Sequence, residues 1–137
     1  MSPITSEDLA KLTRLLEEAG EGMPHPQAGM AAQTNAVLSA LILFIASEAI
    51  ACMSASNGMP WSDSYALTAR VMAETASLLT EKGVHPAQLK DMICQPGSLA
   101  IEALHALEQV RLRAAMINAC NGACNQIMQN RADPADV

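Results

Sequence analysis

A chain of 137 residues, half of them hydrophobic and 16% charged, has room for one modest core and not for two. The net charge of −6 excludes a nucleic-acid surface, which rests on Lys and Arg neutralising phosphates. Phe44, Trp61 and Tyr65 are the whole aromatic supply, so alanine, leucine and nine methionines fill the interior, which favours close helix–helix contact over sheet packing.

The opening residues, MSPITSEDLA, carry neither a basic nor an apolar run, so no signal peptide is expected. A first helix is predicted with Ser6 as its N-cap, followed by Glu7 and Asp8 where the helix dipole favours acid. Leu9, Leu12, Leu15, Leu16 and Ala19 recur on one face, and Gly20 ends the element. Residues 20–28, GEGMPHPQA, read as a linker. A second helix is predicted from Gly29 to Asn57. Its centre, AVLSALILFIASEAIACM, is apolar around nearly its whole circumference and should be buried on all sides. The uninterrupted apolar stretch before Ser47 and Glu48 falls short of the roughly 20 residues a membrane span needs, so no membrane is expected. The other helices are too few to enclose this one, which predicts a homodimer or a higher homo-oligomer.

Gly58 and Pro60 stop the second helix, and Ser62 is the predicted cap of a third, Asp63 to Lys82, with Leu67, Val71, Met72, Thr75, Leu78 and Leu79 inward. Pro86 opens a short fourth helix to Ile93, where its missing N–H costs nothing. Cys94-Gln95-Pro96-Gly97 is a turn, Ser98 caps a last helix reaching Asn130, and the tail 131–137 is expected to be loose. No strand pattern appears, so the fold class is all-α, a helical bundle. Cys52, Cys94, Cys120 and Cys124 show no secreted-scaffold pattern and read as reduced thiols in the cytoplasm.

The run His85-Pro86-Ala87-Gln88-Leu89-Lys90-Asp91-Met92, then Pro96-Gly97, Leu104, Leu107, Glu108 and Arg113, resembles the C-terminal part of pyrroline-5-carboxylate reductase. Phe44-Ile45, Glu48 and Gly58-Met59-Pro60 fall where that family has its long buried helix and its Gly-Leu-Pro turn. The resemblance implies an intertwined homodimer of the 6-phosphogluconate-dehydrogenase C-terminal-domain-like type, with substrate held near the subunit boundary. It divides the chain into residues 1–28, a helix and linker left from a nucleotide-binding domain, and residues 29–130, the dimerisation domain. No glycine-rich strand–turn–helix is present to seat a pyrophosphate, so no cofactor is expected and no reductase activity from these residues alone.

Three departures from the family pattern matter. Its Ser-Gly-Ser-Gly-Pro-Ala-Tyr segment is Ala36-Val37-Leu38-Ser39-Ala40-Leu41-Ile42 here, and its Pro-Gly-Gly-Thr-Thr is Pro96-Gly97-Ser98-Leu99-Ala100. Its Gly-Gly between the last two helices is Val110-Arg111, which predicts one continuous helix over 98–130, on the order of 50 Å long.

Eight residues are candidates for chemistry. Glu48, the lone charge of the apolar helix, is either a general acid or base with a desolvated carboxyl, or a structural group that caps a neighbouring helix N-terminus or pairs with an arginine such as Arg70. His105 stands seven residues past Ser98, near the same helix face, and the pair is either nucleophile and base or structural. Gln33, Asn35, Ser39 and Gln95 fall at the family's substrate-facing segments and, with Arg70, would orient a small molecule. Cys120 and Cys124, four apart, offer a pair of thiolates without a second pair, so no metal is expected. Two functions follow. One is a non-redox enzyme or binder, a cyclase or isomerase acting on an amino-acid-derived or imine-containing molecule in biosynthesis. The other is a non-catalytic oligomerisation module, pairing with itself or with a separate reductase subunit.

Overall fold

The computed structural model describes residues 2–132, and among these six helices and no strand occur. They group into two units, residues 2–42 with 114–132, and residues 43–113. Of the tail expected at 131–137, Arg131 and Ala132 belong to the last helix and 133–137 lie outside the described residues.

Helix α1, Ser6–Glu18, has its cap one residue earlier than predicted, because Thr5 and not Ser6 closes a capping box. The Thr5 hydroxyl accepts from the Asp8 amide at 3.1 Å, and the Asp8 carboxylate accepts from the Thr5 amide at 2.9 Å. Lys11 pairs with Glu7 one turn along. Leu12, Leu16 and Ala19 are half-buried, whereas Leu9 and Leu15 of the expected inner face are exposed. The turn into α2 is tight: a Cβ on Gly20 would stand 2.5 Å from the Gly29 carbonyl oxygen.

Helix α2, Pro26–Ser56, starts inside the predicted linker, with proline at the first position. Its first half shares a unit with α1 and with most of α6, Leu112–Ala132. There Thr34 is buried and accepts from the Cys124 thiol at 3.3 Å. Its second half packs in the other unit with α3, Trp61–Lys82. Ala51 on α2 and Ser64 and Thr68 on α3 are the residues buried there, so small side chains let the helices approach closely. The two hydroxyls donate to their own helix, Ser64 to the Pro60 carbonyl at 3.1 Å and Thr68 to the Ser64 carbonyl at 2.9 Å. The predicted Ser62 cap does not form: Pro60 holds the N-cap position and the Ser62 hydroxyl turns to Asp63. Of the six residues expected inward on α3, Met72 and Leu79 are half-buried and the others exposed. Gly83 ends α3 in the left-handed conformation its φ of 57° requires.

Helix α4, Pro86–Ile93, matches its predicted bounds, capped by His85, whose Nδ1 accepts from the Ala87 amide at 3.1 Å. Ser98 caps α5, Leu99–Gln109. The continuous last helix does not exist. The chain turns at Val110-Arg111, with Arg111 at a φ of 56°, a conformation that costs a side-chain-bearing residue about 1–2 kcal/mol. Helix propensity lost to packing. The turn is held by the Arg111 amide on the Glu108 carbonyl at 3.0 Å and by the Arg113–Glu108 ion pair at 3.0 Å. Beyond it α6 joins the unit of α1 and the start of α2.

Candidate functional site

The eight candidate residues divide between the two units: Gln33, Asn35 and Ser39 in one, Glu48, Arg70, Gln95, Ser98 and His105 in the other. Most have visible structural duties. Ser39 donates to Asn35 at 3.3 Å one turn back on α2. Gln95 donates to the Met92 carbonyl at 3.1 Å and the Asp91 carbonyl at 3.4 Å, satisfying the free end of α4. Ser98 Oγ accepts from the Ile101 amide at 3.2 Å and donates to the Ile93 carbonyl at 3.4 Å. His105 is exposed on α5, and among the described residues no hydrogen bond joins it to Ser98. Glu48 and Arg70 are both exposed, and neither belongs to any of the four described ion pairs. Leu99, the bulk expected to fill an ancestral pocket, is 88% exposed. The described residues bring no three His, Cys, Asp or Glu side chains together, and Cys124 is engaged with Thr34.

Cavities open in both units. One, of about 350 Å³, lies at the α1–α2 turn with Glu17, Glu21, His25, Gln33 and Arg131 on its walls. The other, of about 300 Å³, is a groove on α2 and α3 walled by Leu43, Phe44, Ala69, Met72, Ala73 and Ala76, with Ser47 at its floor. Ser47 is already satisfied, donating to the Leu43 carbonyl at 2.6 Å and touching the Met72 sulfur at 3.4 Å. The groove therefore holds no polar group in need of water. Sequence reasoning missed it, because the α3 side is made mostly by the small side chains of Ala69, Ala73 and Ala76, which carry no signal of their own.

The groove is part of a wider feature. Among the described residues, Ala51 is the only fully buried hydrophobic one. Along α2 the side chains of Leu41, Leu43, Phe44, Ile45, Ile50 and Met53 are all exposed, so much of the apolar circumference expected to be covered is bare. The chain presents 10657 Å² to solvent. A folded monomer of 14.4 kDa presents about 6,800 Å², and two separately folded bodies of half that mass about 8,200 Å² together. The surplus of about 2,400 Å² per chain over the two-body figure falls in the range that obligate homodimer interfaces bury. Length does not exclude a membrane as the cover: α2, at 31 residues, is long and apolar enough to cross a bilayer once Ser47 and Glu48 are counted within it.

Among the described residues one titration shift is resolved, on α1. The Asp8 carboxyl is held below the usual range by the hydroxyl of Thr5 and then by its amide.

These observations define an all-helical domain whose dominant functional feature is an apolar surface left open by its own chain. The family described as pyrroline-5-carboxylate reductase dimerisation matches residues 28–130, and the chain belongs to it. It is 35% identical over 122 residues to pyrroline-5-carboxylate reductase of Escherichia coli (strain K12), covering 87% of this chain and 44% of that protein. It is 37% identical over 121 residues to pyrroline-5-carboxylate reductase 3 of Macaca fascicularis, covering 88% and 44%. With the reductase of Thermus thermophilus it shares 38% over 124 residues, 86% of this chain and 45% of the other. The chain thus spans less than half the length of these relatives.

Proposed function

We propose that this chain is a self-association module, a soluble cytoplasmic homodimer in which a second copy covers the apolar surface of α2. The observation that carries this reading is the lack of a core: one fully buried alanine among the described hydrophobic residues cannot offset the conformational entropy of fixing some 130 residues. Burial at roughly 25 cal/mol per Å² over a surplus of about 2,400 Å² would contribute on the order of 60 kcal/mol per chain if all of it were apolar, an upper bound of the right scale for a fold completed by association. Residues 29–130 form the associating part, and residues 1–28 are the helix and linker ahead of it.

The reading as a non-redox cyclase or isomerase stands second. Its polar groups Ser39, Gln95 and Ser98 are occupied with helix capping and local contacts, and Glu48 and His105 face solvent in the single chain. Sedimentation equilibrium at micromolar concentration separates the proposal from its rivals. A mass of twice 14.4 kDa or a higher multiple is expected without detergent. A folded monomer, or protein recovered only with lipid vesicles, would remove the proposal.

A further inference from the structure

The sequence holds two Asn-Gly dipeptides, Asn57-Gly58 and Asn121-Gly122, and the fold treats them oppositely. Such a pair is chemically distinctive because glycine has no Cβ to shield its own amide nitrogen, which can reach the asparagine side-chain carbon before it. Both asparagines are exposed, so access of solvent does not separate them. The backbone does separate them. Asn121 and Gly122 lie near the middle of α6, Leu112–Ala132. There the helical dihedrals turn the glycine nitrogen away from the asparagine side chain, and its N–H is spent on the carbonyl four residues back. Asn57 is the first residue beyond α2, and Gly58 leaves the helix with a φ of 98°. Attack there requires the release of two bonds at an exposed helix end. The Gly58 amide donates to the Ala55 carbonyl at 3.0 Å, and Asn57 Nδ2 donates to the Met53 carbonyl at 2.9 Å. Helix ends open by fraying at little cost, whereas a helix interior opens only when whole turns unfold.

We propose that Asn57 is a site of spontaneous deamidation, selected over Asn121 by the fold. The Gly58 nitrogen gives up its proton to water and attacks the Asn57 side-chain carbon, Cγ. A C–N bond forms, the Cγ–Nδ2 bond breaks, and Nδ2 takes up a proton and leaves as ammonia. The product is a cyclic succinimide. Water then opens the ring at either carbonyl, leaving an aspartate, or an isoaspartate whose main chain runs through Cγ. No group is oxidised or reduced, and water is the co-reactant. Both products set a carboxylate where a neutral amide stood. The Met53 carbonyl loses its side-chain donor, and negative charge arrives at the C-terminal end of α2, where the helix dipole is already negative. Deamidation thus loosens the last turn of the helix that bears the exposed apolar surface. The inference stands independently of the proposed self-association.

Peptide mapping by mass spectrometry tests the site on the full chain, aged in mildly alkaline buffer both folded and in concentrated urea. In urea the two dipeptides should convert at rates within about threefold of each other, because local sequence alone then governs them. In the folded chain Asn57 should convert at least about tenfold faster than Asn121, with aspartyl and isoaspartyl peptides both recovered at position 57. Asn57→Asp supplies the carboxylate without ageing. It should speed amide exchange in the last turn of α2 by about two- to fivefold and leave the last turn of α3 unchanged. Equal persistence of the two asparagines in the folded chain, or faster loss of Asn121, would overturn the site. So would an Asn57 that survives in urea. Unaltered exchange in Asn57→Asp would overturn the effect on α2.

Discussion

Helices α1 and α2 are built on opposite principles. Helix α1 carries its stabilisation locally, in the Thr5–Asp8 capping box, the Lys11–Glu7 pair and one apolar stripe facing its own unit. Helix α2 has no charge in its first or last turn and large apolar side chains on several faces, of which those at Leu41, Ile45 and Met53 lie bare. An amphipathic helix tells what its own chain will cover. A helix apolar all round, in a chain this short, tells what its own chain cannot.

The largest effect is expected from placing a charge on α2. Ile45, 65% exposed, would tolerate Glu within about 0.5 kcal/mol if that surface met water in the working protein. If a second copy covers it, Ile45→Glu buries an unpaired carboxylate and should weaken association by about 3 kcal/mol or more, read as a roughly hundredfold rise in dimer Kd. The matching change on α1, Leu15→Glu, should leave the Kd unmoved. Next in size is Gly20→Ala, at the turn joining the two helices. The new methyl would meet the Gly29 carbonyl oxygen at 2.5 Å, and backbone must move, so a loss of about 1–3 kcal/mol is expected in urea denaturation.

The comparison also marks what the sequence made legible. Signals that act within four residues were readable: Pro86 to Ile93 as a helix, Ser98 as a cap, Gly83 as a stop. Among adjacent candidates the choice was decided by geometry, so Thr5 took the cap from Ser6 and Pro60 left Ser62 without one. The turn at Val110-Arg111 was illegible because neither residue favours a positive φ. The candidate site was the least legible part. Ser39, Gln95 and Ser98 look like ligand contacts in a string of letters, yet each has a backbone or helix partner within 3.5 Å. Glu48 and Arg70 looked like an intrachain pair and are not one.

That turn offers a smaller test. Arg111→Gly relieves the left-handed strain and should stabilise the fold by about 0.5–1 kcal/mol, whereas Arg111→Val should cost about 1 kcal/mol or more. Both are readable as shifts in denaturation midpoint at fixed concentration.

The smallest effect belongs to α1. Thr5→Ala removes the capping box and should cost about 1 kcal/mol, confined to faster amide exchange in the first turns of α1. Because the folded Asp8 pKa is depressed, its contribution is present above the ordinary carboxylate range and disappears as pH falls through the lowered value. The start of α1 should fray on acidification in the parent chain and show no such acid step in Asp8→Asn, while α2 is indifferent to this change.

The most direct test of the central claim is the dependence of thermal unfolding on chain concentration. If α2 is covered only by a second copy, folding and association are one equilibrium, and Tm must rise as concentration increases from sub-micromolar to hundreds of micromolar. A Tm constant across that range, with a cooperative transition from a species of 14.4 kDa, would show that the single chain completes its own fold.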